Sequence, residues 1–150
     1  MSPLAQSHGA QFTRILSLGA ARGDTVVSND DIAGPIDSSD EWIRQRTGII
    51  ERRRSSDAEQ AIDLAVRASN EAIDKAGIQP DQIGAVIVAT ISNAVQTPSL
   101  AALLADRVGA TPAAAYDISA ACAGYTYGIA QADALIRSGT ANYVLVVGAE

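Results

Sequence analysis

Apolar and small residues recur along the chain with two periods, one typical of helices and one typical of buried strands. We predict a helix over residues 57–77, because such residues recur there at helical spacing and Gly77 can end it. Its core-facing positions are Ile62, Ala65, Val66, Ser69, Ile73 and Ala76. The β-branched run "GAVIVAT" at 84–90 predicts a strand buried on both faces. The helix face is therefore expected to lie on a sheet.

The remaining segments continue this alternation. The other predicted strands are 12–20, 113–119 and 142–150, the last as a second buried strand. The other predicted helices are 29–34, 38–48, 97–110 and 122–139, and the second of these has Ser38 or Ser39 as its N-cap and Gly48 as its stop. Strands joined by helices in the order βαβαβαβ indicate an α/β fold with a mostly parallel, right-handed sheet covered by helices. Functional groups are expected at the carboxyl ends of its strands.

Composition narrows the functional classes. The chain is 47% hydrophobic but has no apolar run long enough to cross a bilayer, and residues 1–11 lack the basic and apolar regions of a secretory signal. We interpret residues 1–11 as a flexible N-terminal extension and expect a cytoplasmic protein. The net charge of −6 argues against general nucleic-acid binding. Five of the eleven basic residues nevertheless fall within 44–54, where they could serve a phosphorylated ligand.

The chain has one cysteine, Cys122, and one histidine, His8. They can form neither an internal disulfide nor a Cys/His cluster for a structural metal, so no metal site is expected. Cys122 lies where the predicted strand 113–119 gives way to the predicted helix 122–139. The N–H groups and dipole of a helix N-terminus can stabilise a thiolate and a developing oxyanion, which suits acyl transfer through a thioester. A free cysteine is also often a small buried residue, and position alone leaves both interpretations open.

Four stretches occur in an order and spacing that resemble β-ketoacyl-acyl-carrier-protein synthase III of the thiolase-like superfamily. They are "DSSDEWIRQRTGI" at 37–49, "VIVATISNAVQTPS" at 86–99, "YDISAACAGYTYGI" at 116–129 and "YVLVVGAE" at 143–150. The resemblance implies a thiolase-like fold, with residues 12–150 as an N-terminal domain that lacks its C-terminal half. It also implies an acyltransferase that initiates fatty-acid synthesis. In that reaction a cysteine takes an acyl group from acyl-CoA, and decarboxylative condensation with malonyl-acyl-carrier protein then gives a 3-oxoacyl product.

The resemblance assigns the nucleophile to Cys122 and CoA binding to Trp42, Arg46 and Ser38. Trp42 would offer a flat face for adenine, Arg46 would pair with phosphate, and Ser38 would lie near the nucleotide. From the residues alone, Trp42 could instead be a core anchor, and Arg46 could pair with Asp40 or Glu41. Both alternatives stay open at this point.

Thr97 matches a loop position that the family extends across a homodimer interface to close the partner's acyl pocket. Some members carry a bulky aromatic residue there, so a threonine would admit a longer acyl primer. Alternatively, Thr97 precedes Pro98 only as a helix-capping residue. Acyl-CoA would be a substrate, and no resident cofactor is expected.

The family's catalytic set also contains a histidine and an asparagine, and no residue here matches either position. His8 precedes the first predicted strand. We therefore expect these 150 residues alone to be inactive in condensation. Two alternatives are a priming enzyme or acyltransferase of polyketide or other specialised metabolism, and a non-catalytic half-domain that dimerises or binds CoA.

Overall fold

The computed structural model describes residues 9–150, which contain five strands and five α-helices. In chain order these are β1 Thr25–Ser28, α1 Asp30–Ala33, α2 Asp40–Thr47, β2 Glu51–Arg54, α3 Ala61–Ala76, β3 Ile83–Ala89, α4 Leu100–Val108, β4 Ala114–Ile118, α5 Gly124–Arg137 and β5 Tyr143–Gly148. They divide into a smaller unit, residues 21–60, and a larger unit, which combines residues 61–150 with those before 21. His8 and most of the predicted extension 1–11 lie outside the described residues.

The larger unit is built on a parallel sheet with the strand order β4–β3–β5. Ile87 in the central strand is opposite Tyr116 on one side and Val146 on the other. Val86, Ile87 and Val88 have no exposed surface, which confirms the prediction of a strand buried on both faces. The prediction of a second buried strand at 142–150 is wrong for most of β5, whose first four residues are only half-buried because β5 lies at the edge of this sheet.

Helices cover both faces of this sheet. On one face, α3 and α4 pack against Val86, Val88 and Val147 in the main hydrophobic core. On the other face, α5 contacts β3 and β5. The predicted helix 57–77 is confirmed as α3, although it begins later, at Ala61, and Gly77 ends it with a φ of 67°. None of the helices within residues 9–150 is long and apolar enough to span a membrane.

The predicted strand 12–20 is wrong, because this segment bonds to a helix rather than to a neighbouring strand. Ser17 Oγ donates to the carbonyl oxygen of Ala72 at 2.6 Å, and the Ala20 N–H donates to Glu71 Oε2 at 2.8 Å. Gly19 lies so close to α3 that an added Cβ would collide with the carbonyl oxygen of Ala68. A strand forms only where a neighbouring strand can bond to it, and the pattern of a single segment does not show whether such a neighbour exists.

The smaller unit contains an antiparallel pair that the sequence analysis missed. β1 and β2 pair from Thr25 opposite Arg54 to Ser28 opposite Glu51. Each strand has only four residues, and most of the side chains in β2 are exposed. A short charged run such as "ERRR" carries little of the alternating hydrophobic pattern that identifies a strand. The predicted short helices 29–34 and 38–48 are confirmed as α1 and α2.

Candidate active site

Cys122 lies in a 3-10 turn, Ala121–Ala123, between the end of β4 and the first residue of α5. The cysteine is exposed, so the alternative of a buried thiol is wrong. The preceding residue, Ala121, has a φ of 45°, a left-handed conformation that costs a non-glycine residue about 1–3 kcal/mol. Such strain persists only where surrounding contacts enforce it, and it is concentrated in functional turns.

Two glycines bring the start of α5 against the sheet. A Cβ added at Gly124 would lie 2.9 Å from the Cβ of Ala89, the last residue of β3. A Cβ added at Gly128, one helical turn later, would lie 2.7 Å from Val146 Cγ1. The absence of side chains at these positions therefore allows α5 to pack closely on β3 and β5. This packing holds the Cys122 turn beside the carboxyl ends of the strands, where α/β sheets place their functional groups.

A loop at residues 91–98, which contains Thr97, begins at the same edge of the sheet, just after the carboxyl end of β3. It follows Thr90, a buried residue whose N–H donates to the Ile118 carbonyl oxygen at 3.2 Å. It is followed by Ser99, whose hydroxyl caps α4 by accepting from the Ala102 N–H at 3.1 Å. The alternative in which Thr97 caps this helix is therefore wrong. Thr97 itself is exposed, and its role at the acyl pocket stays a prediction.

Asp117 makes a structural contact at this edge of the sheet that sequence reasoning missed. Its two carboxylate oxygens accept from the Leu100 N–H and the Ala101 N–H, each at 2.8 Å. The donors belong to the first turn of α4, whereas Asp117 itself lies in β4. The sequence did contain one sign of this contact, a single carboxylate within the otherwise apolar or small run 113–118. A half-buried charge in a strand needs hydrogen-bond donors, so a partner for Asp117 could have been expected.

In the smaller unit, Trp42 and Arg46 lie together on α2. Trp42 is 53% exposed, so the alternative in which it anchors the core is wrong. The Arg46 guanidinium carbon lies 5.6 Å from the centroid of the indole ring, within the range of a cation–π interaction. The carboxylates proposed as alternative partners of Arg46 bind elsewhere: Asp40 pairs with Arg44 at 2.7 Å, and Glu41 accepts from Gln45 at 3.1 Å.

A buried amide fixes the start of α2. Asn29 is 1% exposed, and its side-chain nitrogen donates to Asp40 Oδ1 and to the Ile49 carbonyl oxygen, each at 2.8 Å. Its oxygen accepts from Arg52 Nη2 at 2.8 Å. Hydrogen bonds from Arg44 and then Asn29 hold the pKa of Asp40 below its ordinary value of 3.8. Asn29 therefore joins the end of β1, the start of α2 and β2 through a satisfied polar network.

The residues just before α2 complete this site. Ser39 is the N-cap, since its hydroxyl accepts from the Trp42 N–H at 3.2 Å, and this selects one of the two predicted caps. Ser38 Oγ is buried and has no hydrogen-bond partner among residues 9–150. A buried hydroxyl without a partner costs about 1–3 kcal/mol, and the role of Ser38 near a nucleotide stays a prediction.

Known proteins match the chain in both sequence and structure. The family model for the N-terminal domain of thiolase matches residues 44–150. The β-ketoacyl-acyl-carrier-protein synthase III of Kocuria rhizophila is 53% identical over 150 residues, which cover all of this chain and 42% of that protein.

Two solved structures are similar. The priming β-ketosynthase from the R1128 polyketide biosynthetic pathway has a TM-score of 0.91 and 38% identity, covering 97% of this chain and 44% of that one. The 3-oxoacyl-acyl-carrier-protein synthase III of Aquifex aeolicus VF5 has a TM-score of 0.85 and 39% identity, covering 91% of this chain and 44% of that one. This chain thus spans less than half the length of these relatives. Its similarity to β-ketoacyl-acyl-carrier-protein synthase III extends along its whole length, and the chain belongs to the family of thiolase N-terminal domains.

Proposed function

We propose that this chain carries the acyl-accepting site of a 3-oxoacyl-acyl-carrier-protein synthase III, with Cys122 as its nucleophile. The thiolate attacks the carbonyl carbon of an acyl-CoA thioester, a thioester to Cys122 forms, and CoA leaves as a thiolate that takes up a proton. The observation that carries this proposal is the exposed thiol on the turn that leads directly into α5. Backbone N–H groups beside a thiol can stabilise the oxyanion that develops during the attack, but those of Ala123 and Gly124 donate to carbonyl oxygens of the turn itself, so we assign no specific donor.

The acyl donor in this proposal is acyl-CoA, bound through Trp42, Arg46 and Ser38. An exposed indole with a guanidinium over it suits an adenine ring and a phosphate group. The buried, unpartnered hydroxyl of Ser38 supplies a further polar group beside α2. These three residues combine stacking with charge, as a nucleotide requires.

The second substrate in this proposal is malonyl-acyl-carrier protein. Its decarboxylation releases CO₂ and leaves a carbanion, which attacks the Cys122 thioester and returns the thiolate as the 3-oxoacyl product leaves. The family resemblance assigns this step to a histidine and an asparagine that no residue here matches, so we assign only the acylation step to this chain. We further propose a cytoplasmic homodimer in which the exposed Thr97 closes the partner's acyl pocket.

A second candidate function is the priming of polyketide or other specialised acyl assembly. The observation that favours it is the TM-score of 0.91 to the priming β-ketosynthase of the R1128 pathway. The same cysteine chemistry would apply, with a different carrier protein as the acceptor. The 53% identity to the Kocuria rhizophila synthase III supports fatty-acid initiation as the first candidate.

Acylation of Cys122 by acyl-CoA tests the proposed function. We expect the chain to gain one acyl group on the peptide that contains Cys122, and Cys122→Ala to abolish it, because no other thiol is present. Peptide mass spectrometry after incubation with acyl-CoA measures the adduct. Ser119→Ala is the matched control, since it removes an exposed hydroxyl three residues away and leaves the thiol. An adduct that forms equally well on the Cys122→Ala chain would contradict the proposal.

A further inference from the structure

The backbone of Asn29 is linked to Ser38, one of the three residues of the proposed CoA site. The carbonyl oxygen of Asn29 accepts from the Ile32 N–H at 3.2 Å and from the Ala33 N–H at 2.9 Å, so it bonds to α1. The carbonyl oxygen of Ala33, the last residue of α1, in turn accepts from the Ser38 N–H at 3.0 Å. Asn29 is therefore connected to Ser38 through α1.

The side chain of Asn29 bonds at both ends of the helix that carries Trp42 and Arg46. Its amide nitrogen donates to Asp40 Oδ1, in the first residue of α2, at 2.8 Å. The same nitrogen donates to the carbonyl oxygen of Ile49, just beyond the end of α2, at 2.8 Å. One buried amide thus holds α2, while the backbone of the same residue holds α1.

The partners of this amide allow it only one orientation. Asn29 is 1% exposed, and its oxygen accepts from Arg52 Nη2 at 2.8 Å. A flipped amide would direct its N–H groups at the guanidinium, which accepts no hydrogen bonds, and would leave the Ile49 carbonyl oxygen without this donor. A satisfied buried network of this kind makes the local structure rigid. α2 is therefore held in one orientation relative to α1 and Ser38.

We propose that Asn29 is a positioning residue for the proposed CoA site, which holds Trp42 and Arg46 in a fixed orientation relative to Ser38. The inference rests on the proposed function, because it takes these three residues as the groups that bind the nucleotide. Asn29 is buried and acts through α1 and α2 rather than by touching CoA. Groups that are already in place bind a ligand more tightly, because less conformational freedom is lost on binding.

Ser28 provides a matched control, because it is the neighbouring residue and also bonds through its side chain. Its hydroxyl donates to Asp31 Oδ2, within α1, at 2.7 Å. This bond does not join α1 to α2. Ser28→Ala is therefore expected to lower the stability of the protein without releasing α2. If Asn29 only stabilised the fold, Asn29→Ala would affect the same measurements as Ser28→Ala.

The test compares acetylation of Cys122 by acetyl-CoA and by the acetyl thioester of N-acetylcysteamine, which has no nucleotide. Both rates are measured below saturation in the full chain and at a temperature where each variant is folded. We expect Asn29→Ala to lower the ratio of the acetyl-CoA rate to the short-thioester rate by about tenfold, because only acetyl-CoA uses the positioned groups. Ser28→Ala should leave the ratio unchanged, since a loss of stability affects both donors alike.

Two outcomes of this comparison would overturn the inference. If the unaltered chain prefers acetyl-CoA and Asn29→Ala keeps the full preference, the inference is wrong and the proposed function stands. If the unaltered chain is acetylated equally well by both donors, the proposed CoA site is wrong, and the inference fails with it.

The fluorescence of Trp42, the only tryptophan in the chain, decides the inference if the unaltered chain is not acetylated by either donor. In that case the proposed function has failed. An indole on a firmly held helix rotates with the protein, whereas a loosened helix adds a faster motion. Asn29→Ala should therefore shorten the anisotropy decay of Trp42, and Ser28→Ala should not. An unchanged decay in Asn29→Ala, or an equal shortening in both variants, would overturn the inference.

Arg52→Ala replaces Asn29→Ala in both measurements if the latter variant does not fold. Arg52 is the donor to the amide oxygen, so its loss frees the amide to rotate while Asn29 remains. We expect the same direction of change in the rate ratio and in the anisotropy decay. Values equal to those of the unaltered chain in folded Arg52→Ala would overturn the inference.

Discussion

An exposed tryptophan is the most unusual single residue of the smaller unit. Burying a large aromatic side chain stabilises a fold, so a tryptophan that is 53% exposed leaves apolar surface in contact with water. Arg46 covers part of that surface from one helical turn away, with its guanidinium 5.6 Å from the ring centroid. In the proposed CoA site, the indole would receive a flat ring and the guanidinium would pair with a phosphate.

Trp42→Ala and Arg46→Ala are expected to weaken CoA binding. The first removes a stacking face and the second removes a phosphate partner, and we expect each to raise the dissociation constant by about tenfold, or roughly 1.4 kcal/mol. Isothermal titration calorimetry with CoA measures the change. Gln45→Ala is the matched control, because Gln45 is exposed on the same helix and its side chain donates to Glu41. Affinity that is unchanged in both variants would show that Trp42 and Arg46 do not bind CoA.

Single residues differed in how far the sequence could predict them. Cys122 and Trp42 are chemically distinctive and occur once each, so their motifs identified them as candidates, and exposure then excluded their buried alternatives. Asn29 and Asp117 were missed. Their roles depend on partners far along the chain, such as Ile49 for Asn29 and Leu100 for Asp117, and local spacing contains no record of such partners.

At the scale of elements, the position of α5 depends on a stripe of small residues. Gly124, Gly128 and Ala132 are spaced by one helical turn, and all three are buried. Glycine within a helix costs about 1 kcal/mol relative to alanine, so the chain accepts weaker helix propensity at these positions. The close approach that results places the start of α5, and with it the Cys122 turn, against the end of β3.

Gly128→Ala is expected to destabilise the protein despite its better helix propensity. The new methyl group would meet Val146 Cγ1 at 2.7 Å, and valine is too stiff to move aside cheaply. Overpacking typically costs about 1–3 kcal/mol, which exceeds the gain of about 1 kcal/mol from propensity. A double-mutant cycle with Val146→Ala checks this by chemical denaturation: in the Val146→Ala background, Gly128→Ala should become stabilising. A loss of the same size in both backgrounds would rule out the contact with Val146 as the cause.

The same elements explain which parts of the fold the sequence could predict. α3, α4 and α5 were predicted because helical periodicity and end signals are local, and β3 because a short β-branched run bounded by turns is typical of a central strand. The segment 12–20 has strand-like composition but bonds to α3, and β1 with β2 are too short and too exposed to show a period. Strand formation depends on a partner, which a single segment does not specify.

At the scale of the whole molecule, hydrogen bonds lower the pKa values of three acids, which lie in both units. Hydrogen bonds from the side chain and then the backbone of Ser28 lower the pKa of Asp31 below 3.8. The pKa of Asp40 is lowered by Arg44 and then Asn29. In the larger unit, Lys75 and then the Ala20 N–H lower the pKa of Glu71 below 4.5. Both units therefore contain exposed or half-buried acids whose charged form the folded state prefers.

The free energy of unfolding is consequently expected to decrease as the pH falls through 4.5 and then 3.8. These are the ordinary pKa values of glutamate and aspartate. In the folded state these acids have lowered pKa values, so the unfolded state binds more protons in this range. Their contribution is fully present above the ordinary values, and it is lost as the pH falls through the lower values of the folded state. Urea unfolding across this pH range measures the slope of the unfolding free energy with pH.

Glu71→Gln should reduce that slope near pH 4.5, because glutamine does not titrate. The substitution removes the acid that bonds both Lys75 and the Ala20 N–H. Asp74→Asn is the matched control, because it removes an exposed acid of the same helix. Equal reductions in the two variants would show that the bonds to Lys75 and Ala20 do not make Glu71 special, and that acid sensitivity follows net charge alone.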